Sequence, residues 1–86
     1  DSMVEAADLE ERIRQGVGGV SHIVVNDLTG TKDHWEALIV SESFSGKSPI
    51  EQHQMVYAAL GELMAGPVHA LALKTYSPES WAKQEG

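Results

Sequence analysis

The spacing of apolar residues changes from two to about 3.6 and back along this chain, and that switch limits the folds open to it more than any other feature. From His34 to Ser41, Trp35, Ala37 and Ile39 alternate with Glu36, Leu38 and Val40, giving a strand with one strongly apolar and one mixed face. The preceding run from Val20 to Leu28 is β-branched at Ile23-Val24-Val25 and followed by the turn residues Thr29-Gly30-Thr31, so it reads as the hairpin partner. Ser48-Pro49-Ile50-Glu51 then starts a helix: serine as cap, proline at the first helical position, and glutamate placed three after the serine for a capping box. Beyond it Ile50, His53, Val56, Tyr57, Leu60, Leu63 and Met64 recur at intervals of three and four, the buried side of one long helix or two abutting ones. Gly61 is the expected joint and Gly66-Pro67 the end. Period two returns from Val68 to Tyr76, where Leu71, Leu73 and Thr75 alternate with Ala70, Ala72 and Lys74.

The two ends complete the order. A first helix is expected from about Val4 to Gln15, capped by Asp1 or Ser2, with Leu9 and Ile13 on its core side. Its acids Glu5 and Asp8 lie early and its bases Arg12 and Arg14 late, as the helix dipole favours; Gly16, Gly18 and Gly19 then stop it. Ser77-Pro78-Glu79 starts a last short helix carrying Trp81. The sequence therefore predicts an α+β fold in the order α-β-β-α-β-α. The crossover through the long helix favours parallel pairing of the second and third strands, giving a three-stranded mixed sheet with helices packed on one face.

With 86 residues, 42% of them apolar, the chain can bury one modest core, so residues 1–86 are expected to form a single domain. No run approaches the roughly 20 apolar residues that span a bilayer, and the first residues lack the basic start and apolar stretch of a signal peptide, so no membrane association is expected. The start at Asp1 suggests processing or excision. A cytoplasmic location is expected, or an organelle matrix or stroma if a targeting segment was removed ahead of Asp1.

The absence of cysteine removes disulfides, thiol catalysis, cysteine-based zinc sites and any cluster ligated by this chain's own thiolates. The formal charge of -7 comes from 13 acids against six scattered bases, which weakens the case for a polyanionic partner. Histidines and acids are left as candidate ligands or bases. His53 falls in the apolar helical stripe and reads as a structural histidine with satisfied ring nitrogens. His22 reads as a partly exposed strand residue. His34 ends the loop Thr29-Gly30-Thr31-Lys32-Asp33, and His69 stands at the threshold of the third strand; each is either a strand-end histidine or a ligand, and none of the four shows the short spacing of a zinc motif. Two imidazoles can complete a cluster's coordination when another protein supplies thiolates, as histidines do on one iron of Rieske-type centres.

Two other patterns have structural explanations. Gly16-Val17-Gly18-Gly19 formally matches the GxxG of KH domains, yet it joins a helix to a strand and is better explained as a helix C-terminus. Ser41, Ser43, Ser45 and Ser48 near Gly46-Lys47 lack the spaced glycines of a phosphate loop or nucleophile elbow. With no nucleophile-base pair in view, the chain is not expected to be an enzyme.

Asp33-His34-Trp35, Val40-Ser41-Glu42-Ser43-Phe44-Ser45-Gly46-Lys47, Gln52-His53-Gln54-Met55-Val56-Tyr57 with Ala59-Leu60, and His69-Ala70-Leu71-Ala72-Leu73-Lys74-Thr75-Tyr76 together resemble the BolA family, in order and spacing and over nearly the whole chain. The resemblance implies a class II KH-like fold and a complex with a monothiol, CGFS-type glutaredoxin. That complex is an apo heterodimer, or one bridging a 2Fe-2S cluster held also by the glutaredoxin cysteine and glutathione. It implies His69 as the family's C-terminal ligand. His34 matches the loop position that is histidine in one subgroup and cysteine in another. No cofactor is expected in the isolated chain, and a homodimer of the chain alone is compatible with this reading. The alternative is a DNA-binding transcriptional regulator using a basic surface of Lys32, Lys47, Lys74 and Lys83. Against it, Gln52-His53-Gln54 stands where the family commonly has Arg-His-Arg, which removes two positive charges.

Overall fold

The computed structural model describes residues 5–28, 34–65 and 70–85. Helix α1 spans Ala6–Val17, strands β1 and β2 span Val20–Asp27 and His34–Ser41, α2 spans Pro49–Leu60, β3 spans Ala70–Tyr76 and α3 spans Pro78–Glu85, with 3-10 turns at Glu42–Phe44 and Gly61–Ala65. The sheet order is β1-β2-β3. β1 runs antiparallel to β2, with Ile23 opposite Ile39 and Val25 opposite Ala37. β3 runs parallel to β2, as the crossover requires. The α+β class, the element order and the mixed sheet follow the sequence pattern, and the arrangement is compatible with a KH-like description.

One face of the sheet carries the core. Ile23 and Val25 from β1 and Trp35, Ala37 and Ile39 from β2 point to it, and Leu9, Ile13 and Val17 of α1 and Val56 and Leu60 of α2 close over it with Phe44. Fully burying each larger apolar side chain contributes about 1.5–3 kcal/mol. Helices α1 and α2 touch at Gly16, where an added Cβ would lie 2.3 Å from the Cβ and 2.7 Å from the Cα of Ala59. Gly16 therefore does not stop α1 but permits the helix contact; the stop falls at Gly18, whose φ of 77° suits glycine and whose N–H reaches the Arg14 carbonyl. The proposed caps Asp1 and Ser2 lie outside the described residues. Among those described, the Glu5 N–H donates to Asp8 Oδ2 at 3.0 Å.

The start of α2 is as expected. The Glu51 N–H donates to Ser48 Oγ at 3.2 Å, and the Ser48 N–H donates to Glu51 Oε1 at 2.9 Å. The Ser48 N–H, its hydroxyl and the charge of Lys47 hold the Glu51 carboxyl below the usual glutamate range, outweighing a small opposing desolvation. The buried side of α2 is rotated from the expected stripe. Ile50 is 71% and Tyr57 40% exposed, while Gln52 is buried beside Val56 and Leu60. Gln52 can occupy the interior because both its amide nitrogen and its amide oxygen have partners: Nε2 donates to the carbonyls of Phe44 and Lys47, and Oε1 accepts from Thr75 Oγ1 at 2.6 Å. This amide ties the Ser-rich loop and α2 to β3. Gly61, with φ 54°, is the joint between α2 and the following 3-10 turn.

The serines of the loop are structural too. Ser41 Oγ and Ser43 Oγ both donate to the Gly18 carbonyl, at 2.6 and 3.1 Å, closing the turn that leads from α1 into β1.

Helices α1 and α2 thus cover one face. The short α3 adds a contact on the other: Trp81 stacks on His22, whose strand neighbours Ile23 and Val25 point to the core.

Candidate metal-ligand site at the strand ends

His34 is the first residue of the central strand. The Leu28 N–H donates to the His34 carbonyl at 2.8 Å, so the hairpin is hydrogen-bonded up to this residue and the backbone of His34 is fixed on that side. On its other side His34 pairs in register with Ala70, the first residue of β3. Trp35, 2% exposed, points into the core, so strand alternation turns the half-buried His34 side chain to the opposite face. An apolar cleft of about 250 Å³ opens beside it, lined by Leu28, His34, Trp35, Leu71 and Ala72.

His69 lies outside the described residues; in sequence it immediately precedes Ala70, the register partner of His34. His22 and His53 are not part of this site. His22 belongs to the far end of the sheet, opposite Val40, and His53 to α2 on the core side. Among the described residues, no three His, Asp or Glu side chains converge so as to hold a metal ion.

The four lysines do not assemble into one element. Lys32 lies outside the described residues, Lys47 is in the loop before α2, Lys74 is in β3 and Lys83 in the last turn of α3. Lys74 Nζ is 3.6 Å from Glu36 Oε2, so a carboxylate already offsets its charge. No helix among the described residues is long and apolar enough to cross a membrane.

Sequence reasoning singled out His34 but missed its surroundings. Leu71 was legible as the inward member of an alternating strand. Leu28, 56% exposed, carried no signal, because its role beside His34 comes from the hairpin register.

A small α+β protein with a histidine at the mouth of its central strand is the class that fold and site define. The family model described as BolA-like protein matches residues 15–80. The DNA-binding transcriptional regulator BolA of Escherichia coli is 33% identical over 79 residues, covering 85% of this chain and 75% of that protein. BolA-like protein 1 of Bos taurus is 46% identical over 52 residues, and the chain spans only 38% of its length. The crystal structure of a bol-like protein from Babesia bovis superposes with a TM-score of 0.86 at 29% identity, covering 99% of this chain and 98% of that one. The chain belongs to the BolA family.

Proposed function

We propose that this chain is a non-catalytic partner of a monothiol, CGFS-type glutaredoxin, forming an apo heterodimer or one that shares a 2Fe-2S cluster, in the assembly or trafficking of clusters or in iron and redox regulation. The observation that carries this reading is the pairing of His34 with Ala70, because the other candidate histidine, at 69, is one peptide unit before Ala70. Neighbouring strands lie about 4.8 Å apart, and this register makes His34 and the residue that precedes Ala70 in sequence the candidates for one metal centre.

The donor set fits a shared centre better than a private one. The chain has no thiolate to offer, and two imidazoles fill only part of a cluster's coordination, so the partner's cysteine and glutathione supply the rest. Bound there, the cluster supplies redox-sensitive and exchangeable iron and sulfur. The chain's own residues orient it: β-sheet hydrogen bonds hold the His34 backbone, and the buried Trp35 sets which way the imidazole projects. The apolar cleft beside His34 would set nonpolar side chains next to such a cluster, and the polarity of these surroundings tunes the potential of a histidine-ligated cluster. His34→Ala and His69→Ala test this directly. Mixed with a monothiol glutaredoxin, glutathione, iron and sulfide, the unmodified chain is expected to give a coloured heterodimer, and each variant a changed visible spectrum. Unchanged spectra in both variants would refute the ligand assignment.

The second reading, a DNA-binding regulator, draws support from the name of the E. coli relative. The net charge of -7 and the ion-paired Lys74 weigh against it. Tight duplex binding that weakens steeply with salt would reverse that judgement.

A further inference from the structure

The end of the sheet away from His34 carries an aromatic group that the proposed function does not use. His22 of β1 and Tyr76 of β3 both pair with Val40 of β2, so the three side chains share the face opposite the core. From His34 to Val40 along β2 is six residues, or roughly 20 Å of strand. Trp81 of α3 closes over this end: its ring stacks on His22 with centroids 5.4 Å apart and planes at 24°, and it leans on Tyr76 at the same separation and 52°. Val40 is only 1% exposed although it lies outside the main core cluster.

Helix α3 holds this position through very little. Trp81 is half-buried, whereas Pro78, Glu79, Ser80, Ala82, Lys83 and Gln84 are all exposed. Among the described residues, further ties include the Ser77 cap, whose hydroxyl accepts from the Ser80 N–H at 3.2 Å, and a bond from Gln84 Nε2 to the Tyr76 hydroxyl at 3.3 Å. A helix of eight residues has no stability of its own in water, so its order depends on the docked indole.

We propose that α3 is a hinged cover over the surface formed by His22, Val40 and Tyr76, latched by the His22–Trp81 stack, and that protonation of His22 tightens the latch. A neutral imidazole stacks on indole as one aromatic ring on another; an imidazolium adds the attraction of a cation for the indole face. Among the described residues, the side chains paired in register with His22 and stacked on it carry no charge. β2 presents Val40, β3 presents Tyr76 and α3 presents Trp81. Of the charged side chains on the neighbouring elements, Glu79 and Lys83 are exposed on α3, Glu42 lies against Gly19 in the turn before β1, and Glu36 and Lys74 pair with each other further along the face. Imidazole is the side chain whose charge ordinarily changes between pH 8 and 5, and the His22 ring stacks directly on Trp81 of α3. The cover is therefore tighter in acid and opens more often at neutral pH, when it bares Val40, Tyr76 and Trp81 together.

Amide hydrogen exchange on the full chain tests this, with rates at pH 5.5 and 7.5 corrected for intrinsic exchange. Protection of the α3 amides should be roughly two- to five-fold greater at pH 5.5. His22→Gln should abolish that pH difference, and Trp81→Ala should remove α3 protection at both pH values while the amides of Ile23 and Ile39 stay protected. As a check needing no variant, the Trp81 indole N–H resonance should move with the His22 ring resonances through one titration. Protection of α3 that ignores pH, a pH difference that survives in His22→Gln, or α3 amides that exchange only together with the core would each overturn the proposal.

Discussion

The two faces of the sheet are built on different physics. On one, Leu9, Ile13, Val17, Val56 and Leu60 interlock with Ile23, Val25, Trp35, Ala37 and Ile39, all at or below 9% exposure. On the other, His22 and Val24 are exposed, Lys74 pairs with Glu36 across a partly solvated gap, and α3 rests on the single indole of Trp81. Stability comes mainly from the packed face, whose apolar area no surface pair can match. The candidate chemistry, at His34, projects to the open face. Separating the two lets strand-end residues change without disturbing the core, and it would let the proposed partner approach without displacing packed side chains.

Substitutions on each face can break or sharpen that contrast. Leu60→Ala should cost the most, about 2–5 kcal/mol by denaturant titration, because Leu60 is fully buried and its removal leaves a cavity under α2. Gly16→Ala should cost about 1–3 kcal/mol despite alanine's better helix propensity, since the new methyl meets the backbone of Ala59 and must push α1 from α2. A stabilised Gly16→Ala protein would mean that the helix contact yields easily. Trp81→Ala on the open face should cost only about 0.5–1.5 kcal/mol in global stability. Followed by Trp35 fluorescence, which reports the core, the unfolding midpoint should fall much less than in Leu60→Ala; a loss as large as that of Leu60→Ala would erase the distinction between the faces. The smallest effect is expected at Glu51. Its carboxyl is held below the ordinary range in the folded chain, so its stabilising bond is fully present above the usual glutamate range and is lost as pH falls through the lowered value. Glu51→Gln should flatten that part of the acid limb of a stability-pH profile by slightly lowering stability at neutral pH while leaving the acid end nearly unchanged.

Much of the fold could be read from the sequence because period and caps agree. The alternation from Trp35 to Ile39, the Ser48-Pro49-Ile50-Glu51 start and the crossover to Val68–Tyr76 each specify an element, and together they specify the sheet. Three features could not be read this way. Apolar spacing placed Ile50 and Tyr57 inside α2, but interior position also depends on hydrogen bonds, and Gln52 fits there because two carbonyls and Thr75 satisfy its amide. Gly16 carried the signal of a helix stop, whereas its use is a close approach to a residue 43 positions away (59 − 16). Trp81 marked a last short helix, expected on the same face as the others, whereas its stack on His22 sets the indole against the opposite face. For the candidate site, His34 and its strand-end position were legible from the loop ahead of it. The pairing with Ala70 and the cleft beside Leu28 depend on register, which the alternation fixes only to within a shift of two residues.

The most direct measurement is magnetic resonance of the reduced cluster in the heterodimer of this chain with a monothiol glutaredoxin, with only this chain's histidines labelled with nitrogen-15. Imidazole ligation predicts nitrogen hyperfine couplings that change with the isotope and weaken in His34→Ala and in His69→Ala. A cluster-loaded heterodimer whose spectrum carries no nitrogen coupling from this chain would contradict the claim that its histidines hold the metal.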